Sequence, residues 1–471
     1  MFSAPLPVID QFVEDLDAAL RSQGGGRGLS RLQRAWLKFC LMGVLMTNTV
    51  CWKGFERAGL RGYRFSALSW MFRHSKIDWE RLWQASITVV LVAHGITDGV
   101  LVVDDSDEQR AKQTKRIHRA YRLHDKKTGG SFNGQSLVFL VLVTSKVTLP
   151  VGWAFYAPDP AQSAWRREEA RLKAQGVVRA QRPKRPAPNP AYPSKVELAL
   201  KLIATFRQVH ARVRVKAVVA DALYGPRAFL DQASALCEGA QTISQLRHNQ
   251  TVRFRGRERA LSEYFKAYPG VTQRLRVRGG EEIAVSVSSA RLHVCAHETK
   301  RFVIALTYPG QSEPRYLVAS DLSWRTQDIL QVATLRWLVE VFLADWKRYE
   351  GWGTLAKQPD EEGSSRSLIL SLLLDHALLL HPEQTARLKQ SAPACTVGRL
   401  REACRAEAIV TMVRDLLSAE DPVAAVAQWA EHVKALYALP PSSKHMSGRD
   451  LGRQEPTASL RYRALEAMAS A

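Results

Sequence analysis

The change of hydrophobic period at Gly99 constrains the fold more than any other feature. Before it, residues 1–95 carry apolar side chains at helical spacing, most clearly in Leu29–Val50, which Gly24, Gly25, Gly26 and Gly28 set apart from what precedes. After it come three short apolar runs: GVLVVDDS (99–106), SLVFLVLVTS (136–145) and LPVGWAFYA (149–157). These read as three consecutive antiparallel strands. Residues 158–193 turn Pro-rich and basic and read as a surface loop with a short helix around Trp165–Ala174. Ser194 is placed to cap a helix reaching His210, with Glu197 at capping-box spacing. RVKAVVAD (214–221) is a further buried strand, a helix follows from Pro226, and TISQLR (242–247) is a fifth strand. The expected order is β-β-β-α-β-α-β.

Residues 248–320 consist of short alternating segments separated by Gly, Pro and charged turns, so they read as a β-rich insertion. Helix returns at Thr326–Tyr349, and residues 364–471 read as mostly helical with a polar tail after Pro440. The expected divisions are 1–95, 96–247, 248–324, 325–385 and 386–471.

Charge narrows the partner. Lys and Arg number 67 against 45 Asp and Glu, a formal net charge of +22. A surface this basic suits a polyanion, because phosphate contacts release condensed counterions. In the N-terminal segment, cations alternate with aromatic residues such as Trp36, Trp52, Phe65 and Trp70. That pattern nominates Arg31, Arg34, Lys53, Arg73 and Lys76 as contacts to DNA. The six cysteines form no C-x-x-C pair and have no histidine at zinc-ligand spacing, which argues against a structural zinc site or a disulfide framework. No apolar stretch is long enough to span a bilayer, so a membrane partner is not expected and the cytoplasm, beside the nucleoid, is the expected compartment.

Three carboxylates stand out. Asp104 ends the first strand and Asp221 the fourth. Either one alone reads as a loop-entry residue facing water. Ending neighbouring strands, they can meet at one sheet edge and bind a hard divalent cation. In TLRWLVEVFLADWKRYEGW, a helical projection puts Arg336, Glu340 and Lys347 on one face, with Leu335, Leu338, Phe342 and Trp346 opposite. By spacing alone this is an ordinary Arg–Glu pair on an amphipathic helix.

At these residues the chain resembles the DDE transposases of bacterial insertion sequences, in the subgroup with a β-strand insertion in the catalytic core. VVDDSD (102–107) is similar to the first acidic motif, and VVADALYG (218–225) to the second. ISQLRHN (243–249) resembles the strand that enters the insertion. LRWLVEVFLADWK (335–347) resembles a Tyr-x-x-Arg-x-x-x-Glu-x-x-x-x-x-x-Lys signature, with Ala333 at the Tyr position.

The resemblance implies an α/β fold: an RNase H-like catalytic core interrupted by a β-rich insertion and flanked by helical N- and C-terminal regions. It assigns Asp104, Asp221 and Glu340 as catalytic ligands of two Mg²⁺ or Mn²⁺ ions, and Arg336 and Lys347 as DNA contacts. It implies a homodimer acting on the terminal inverted repeats of a mobile element and on target DNA. Adjacent strand residues point to opposite faces, so only one of Asp104 and Asp105 is expected to be a principal ligand. The motif register selects Asp104.

Competing readings keep part of this: a structure-selective nuclease on the same fold, or a DNA-binding relic. Asp105-Ser106-Asp107 also mimics the Asp-x-Asp motif of haloacid-dehalogenase-like phosphatases. Antiparallel strands after the motif and the basic charge argue against that reading.

Overall fold

The apolar run that starts at Gly99 becomes β1 (Asp98–Gln109), the hub of a mixed sheet. The computed structural model describes residues 2–22, 27–59, 63–110, 117–125, 128–277, 280–353, 360–392 and 394–437. β1 pairs antiparallel with β3 (Ser131–Val143) and parallel with β5 (Arg214–Ala220). β3 pairs antiparallel with β4 (Thr148–Tyr156), and β5 pairs parallel with β6 (Gln241–Leu246). Leu101, Val102 and Val103 are fully buried, as befits a central strand covered on both faces.

Parallel neighbours need crossovers, and helices supply them. Between β4 and β5 lie α6 (Pro160–Ala174) and α7 (Lys195–Val209); α8 (Arg227–Leu236) joins β5 to β6. Ser194 caps α7 through the expected capping box with Glu197. The expected strand and helix order is present with two additions. A four-residue strand, β2 (Tyr121–His124), pairs with the start of β3, and α6 begins at Pro160 because Asp159 caps it.

The segment after β6 forms β7 (Thr251–Phe254), β8 (Arg257–Ala260), α9 (Leu261–Ala267), β9 (Val271–Arg276), β10 (Glu282–Val294), β11 (Thr299–Thr307) and β12 (Arg315–Ala319). These strands do not make a separate sheet. β12 pairs antiparallel with β6, Leu246 facing Tyr316, so twelve strands are continuous. Val252, Leu261, Tyr264, Phe265 and Leu292 build a small second core beneath them.

Five helices precede the sheet: α1 (Pro7–Ser22), α2 (Arg31–Thr47), α3 (Trp52–Ala58), α4 (Phe65–His74) and α5 (Trp79–Ala93). Trp36, Phe55 and Phe72 are buried in the main core, while Phe65 and Trp70 are exposed. The expected helix over 326–349 is two, α10 (Thr326–Thr334) and α11 (Arg336–Tyr349). A tightened turn at Leu335 divides them, its N–H bonding Val332 and its carbonyl accepting from Leu338. Then come α12 (Glu361–Leu379), α13 (Pro382–Lys389) and α14 (Val397–Leu417). Gly24 to Gly26 and the tail after Pro440 lie outside the described residues.

The chain divides into two compact units, Met1–Asp415 and Leu416–Ala471. In the second, α15 (Pro422–Tyr437) has no buried residue. Among the described residues, no single helix is long and apolar enough to cross a membrane.

Candidate active site

β1 and β5 run parallel with Val103 beside Ala220, so the residues that follow, Asp104 and Asp221, lie at the same level of the sheet. Contrary to expectation, β1 does not end there: it runs on to Gln109 with Asp104 paired to Phe139 of β3, because its continuation still has β3 as a partner, whereas β5 ends at Ala220. One carboxylate oxygen each from Asp104, Asp105 and Asp221 lie within 4.8 Å of one another. Asp105 thus joins the cluster despite its place on the alternate face. The backbone N–H of Asp105 bonds Asp104 Oδ1 at 2.9 Å, which turns the Asp104 side chain along the strand toward its neighbour. Asp221 is fixed by Leu223 N–H on Oδ1 at 2.9 Å and by Ser244 Oγ on its carbonyl at 2.6 Å.

Glu340 is not one of the three clustered acids; Arg336 stands between it and Asp104. Arg336 donates from Nη1 to Asp104 Oδ2 at 2.8 Å and from Nη2 to Glu340 Oε1 at 2.6 Å. The packing of α11 explains this: Val339, Phe342, Leu343 and Trp346 are buried, which leaves Arg336, Glu340 and Lys347 on the side toward β1. Trp346 anchors the helix, stacking on Trp352 with centroids 4.9 Å apart and meeting Phe139 edge-on at 5.0 Å. Lys347 donates to the Asp107 carbonyl and sits 3.3 Å from Glu108. Ala333 packs partly buried against the core.

Burial pushes the Asp104 carboxyl up to about 6, and Asp221 and Asp105 push it further, while Arg336 and the Asp105 N–H oppose. Asp221 is raised in the same way, by burial first and then by Asp105, against the Leu223 N–H, Arg336 and Lys195. Below them Tyr224 is fully buried, and its hydroxyl has no hydrogen-bond partner among the described residues. Burial and the three aspartates raise its pKa.

The donor set is all carboxylate oxygen, closely spaced and held by backbone and arginine contacts. That fits a hard divalent cation of the Mg²⁺ class. Arg336 now supplies part of the positive charge the cluster requires.

One neighbour was invisible in the sequence. Lys195, the first residue of α7, lies 2.5 Å from Asp105 Oδ2 and 5.2 Å above the Tyr156 ring. It is 90 residues from Asp105, and only the Ser194 cap marked its position.

Among the described residues, none of the nominated N-terminal cations forms an ion pair with Asp104, Asp105, Asp221 or Glu340. Arg31, Arg73 and Lys76 are exposed, and Lys53 lies 4.9 Å over the Phe65 ring. Arg34 is held by Asp17 at 2.6 Å and Glu14 at 3.5 Å, which ties α2 to α1. Of the insertion aromatics, Tyr264 and Phe265 are core and Tyr268 is exposed.

No curated protein matches the chain. Among solved structures it is similar to the NurA nuclease from Sulfolobus solfataricus, at 8% identity over 51% of this chain and 74% of that one, with a TM-score of 0.23. The sequence profile of the DDE superfamily endonucleases matches residues 27–300, which is more than half of the chain and includes Asp104, Asp105 and Asp221 but ends before Glu340. With two aspartates brought together where β5 ends beside β1 and the profile running through both, the chain belongs to the DDE superfamily endonucleases.

Proposed function

We propose that this protein is a DNA transposase built on an RNase H-like core. The observation that carries the reading is the Arg336 bridge, which joins Glu340 to Asp104 beside Asp221. The strand order β4-β3-β1-β5-β6, antiparallel on one side of β1 and parallel on the other, supports the core assignment. The core is 96–247 and 325–385, interrupted by the insertion 248–324 and flanked by helical regions 1–95 and 386–471.

Asp104, Asp221 and Glu340, with Asp105 beside them, would hold two Mg²⁺ or Mn²⁺ ions, which would supply charge neutralisation for the phosphate and activation of the attacking oxygen. Water attacks the phosphodiester at the element's end and displaces the 3′-hydroxyl. That hydroxyl then attacks a target phosphodiester, so one P–O bond forms as another breaks. Arg336 and Lys347 lie where they can bind phosphates flanking the cut. Arg31, Lys53, Arg73 and Lys76 contact DNA from the helical N-terminal region, with Arg34 setting the α1–α2 geometry. Two protomers act together, one at each terminal repeat.

Asp104→Ala, Asp221→Ala and Glu340→Ala, made singly, should each abolish metal-dependent cleavage while DNA binding survives. Substantial cutting by any one of them removes that residue from the site. Strand transfer of a pre-cut end separates a transposase from a structure-selective nuclease, which would cut but not join.

A further inference from the structure

Between β4 and α7 the chain makes a long basic excursion that the carboxylate site does not use. It folds back on itself. Trp165 Nε1 donates to the Pro183 carbonyl at 2.8 Å, and Gln162, which is buried, donates to the Pro186 carbonyl at 2.6 Å. Arg185 Nε returns to Gln162 Oε1 at 3.0 Å. Pro183, Pro186, Pro188, Pro190 and Pro193 stiffen the returning strand by fixing φ. α6 and this strand enclose a crevice of about 770 Å³.

Six cations line it: Arg166, Lys173, Arg179, Arg182, Lys184 and Arg185. Glu169 is the one lining carboxylate, and Arg182 already neutralises it at 2.7 Å. Among the described residues, no carboxylate pairs with Arg166, Lys173, Arg179 or Lys184, and all four are exposed. Like charges gathered on a stiff scaffold repel until a polyanion enters. The crevice also has a direction. Arg166 and Arg185 line a second cleft of about 750 Å³ as well, which reaches Tyr156 and Ser194. Tyr156 lies beneath Lys195, and Lys195 reaches Asp105. Arg166, Arg185 and Lys201 line that second cleft, whose carboxylates Asp159 and Glu197 are engaged in the caps of α6 and α7, and Lys195 stands between its Tyr156 end and the carboxylate cluster.

We propose that this excursion is a strand guide: its crevice binds the sugar-phosphate backbone of duplex DNA and leads it to Asp104, Asp105 and Asp221. The proposal rests on DNA being the substrate of the carboxylate site. It assigns phosphate binding to Arg166, Arg179 and Lys184.

The test is equilibrium binding of a fluorescent duplex of arbitrary sequence to the full chain, in chelator, across a range of KCl. Each lost phosphate contact lowers the log–log salt slope by about 0.9. The triple variant Arg166→Ala, Arg179→Ala, Lys184→Ala should therefore lose about 2 to 3 from the slope and about tenfold or more in affinity at low salt. A charge-matched control, Lys389→Ala, Arg399→Ala, Arg414→Ala, should keep the wild-type slope. Replacing Arg166 and Arg179 by Lys should also keep it, which separates lost charge from lost folding.

A wild-type slope in the triple variant overturns the proposal. So does an equal loss in the control, or no salt-dependent binding by the wild type. Cleavage by the wild type in Mg²⁺ is scored separately: its absence defeats the nuclease reading and leaves the slope comparison intact.

Discussion

Arg336 donates from Nη1 to Asp104 Oδ2 across 232 residues of chain. Its second nitrogen holds Glu340, so one guanidinium neutralises acids from β1 and α11 at once. A divalent cation entering the cluster competes for the same oxygens. Arg336→Ala should therefore bind Mn²⁺ on the order of tenfold more tightly without DNA, by removal of a nearby cation. Cleavage should nonetheless fall by about a hundredfold if the proposed phosphate contact of Arg336 is made. Calorimetry and a cleavage assay read the two effects. If Mn²⁺ affinity and cleavage fall together, Arg336 only holds the helix in place.

The aspartate cluster carries a repulsion that a cation relieves. Mg²⁺ or Mn²⁺ at a hundred times its Kd should stabilise the folded chain by about 2.7 kcal/mol. The double variant Asp104→Asn, Asp221→Asn should melt higher than wild type in chelator and show no metal-dependent rise. Thermal melts with and without metal check both. A metal response that survives in the double variant would place the binding elsewhere.

Lys195 neutralises Asp105 and opposes the raised pKa of Asp221. Lys195→Met should tighten Mn²⁺ binding and slow cleavage, and Lys195→Arg should restore part of the rate. Steady-state kinetics distinguishes the cases: a lower kcat is expected, and a change confined to KM would make Lys195 a simple DNA contact.

Trp346 fixes α11 by packing against Phe139 and Trp352 outside the helix and by donating from Nε1 to Ser371 Oγ at 2.8 Å. Trp346→Ala should cost about 3 to 5 kcal/mol through the cavity it leaves. Ser371→Ala leaves the indole N–H unpaired and should cost about 1 to 3 kcal/mol. Urea denaturation measures both, and equal costs would contradict the cavity account.

Glu350 and Asp375 are both buried, beyond the end of α11. Burial pushes the Asp375 carboxyl up to about 7, and burial with the neighbouring Asp375 charge raises Glu350. Unfolded, Asp375 returns to 3.8. Between those values the folded chain binds more protons than the unfolded one, so this contribution to stability falls as pH rises from about 4 to about 7 and is flat above. Asp375→Asn has no such proton to lose. Its stability relative to wild type should rise across that window, as read by denaturation midpoints. Parallel curves for the two proteins would falsify the assignment.

The strand order was legible because β1, β3, β4, β5 and β6 are apolar runs that only a buried sheet can use. Tyr121–His124 was not, because four residues with one buried side chain carry no period. The short helix expected around Trp165–Ala174 starts earlier, at Pro160: the Pro-rich composition masked the signal of Asp159 before a proline, a cap followed by the residue suited to a first turn. Arg336 and Glu340 were legible as one face of a helix; that the face turns toward Asp104 depends on which residues Trp346 packs against. Lys195 on Asp105 and Asp17 on Arg34 join residues from different elements, and local patterns do not encode such pairs.

The antiparallel pairing of β12 with β6 has a further bearing on how this chain tolerates change. Leu246 and Tyr316 stand opposite each other, so the intervening stretch leaves β6 and returns one strand spacing away, with Leu275, Val285, Phe302 and Ile304 still packed in the main core. In topological terms the whole stretch is the loop of a hairpin. Lengthening its exposed outer turn at Arg255–Gly256 need not move the two strands that close it, nor the helix bearing Glu340, whereas β9 and β11 cannot be exchanged freely, because both pack in the main core, β11 pairs with β12 and β9 bonds α10.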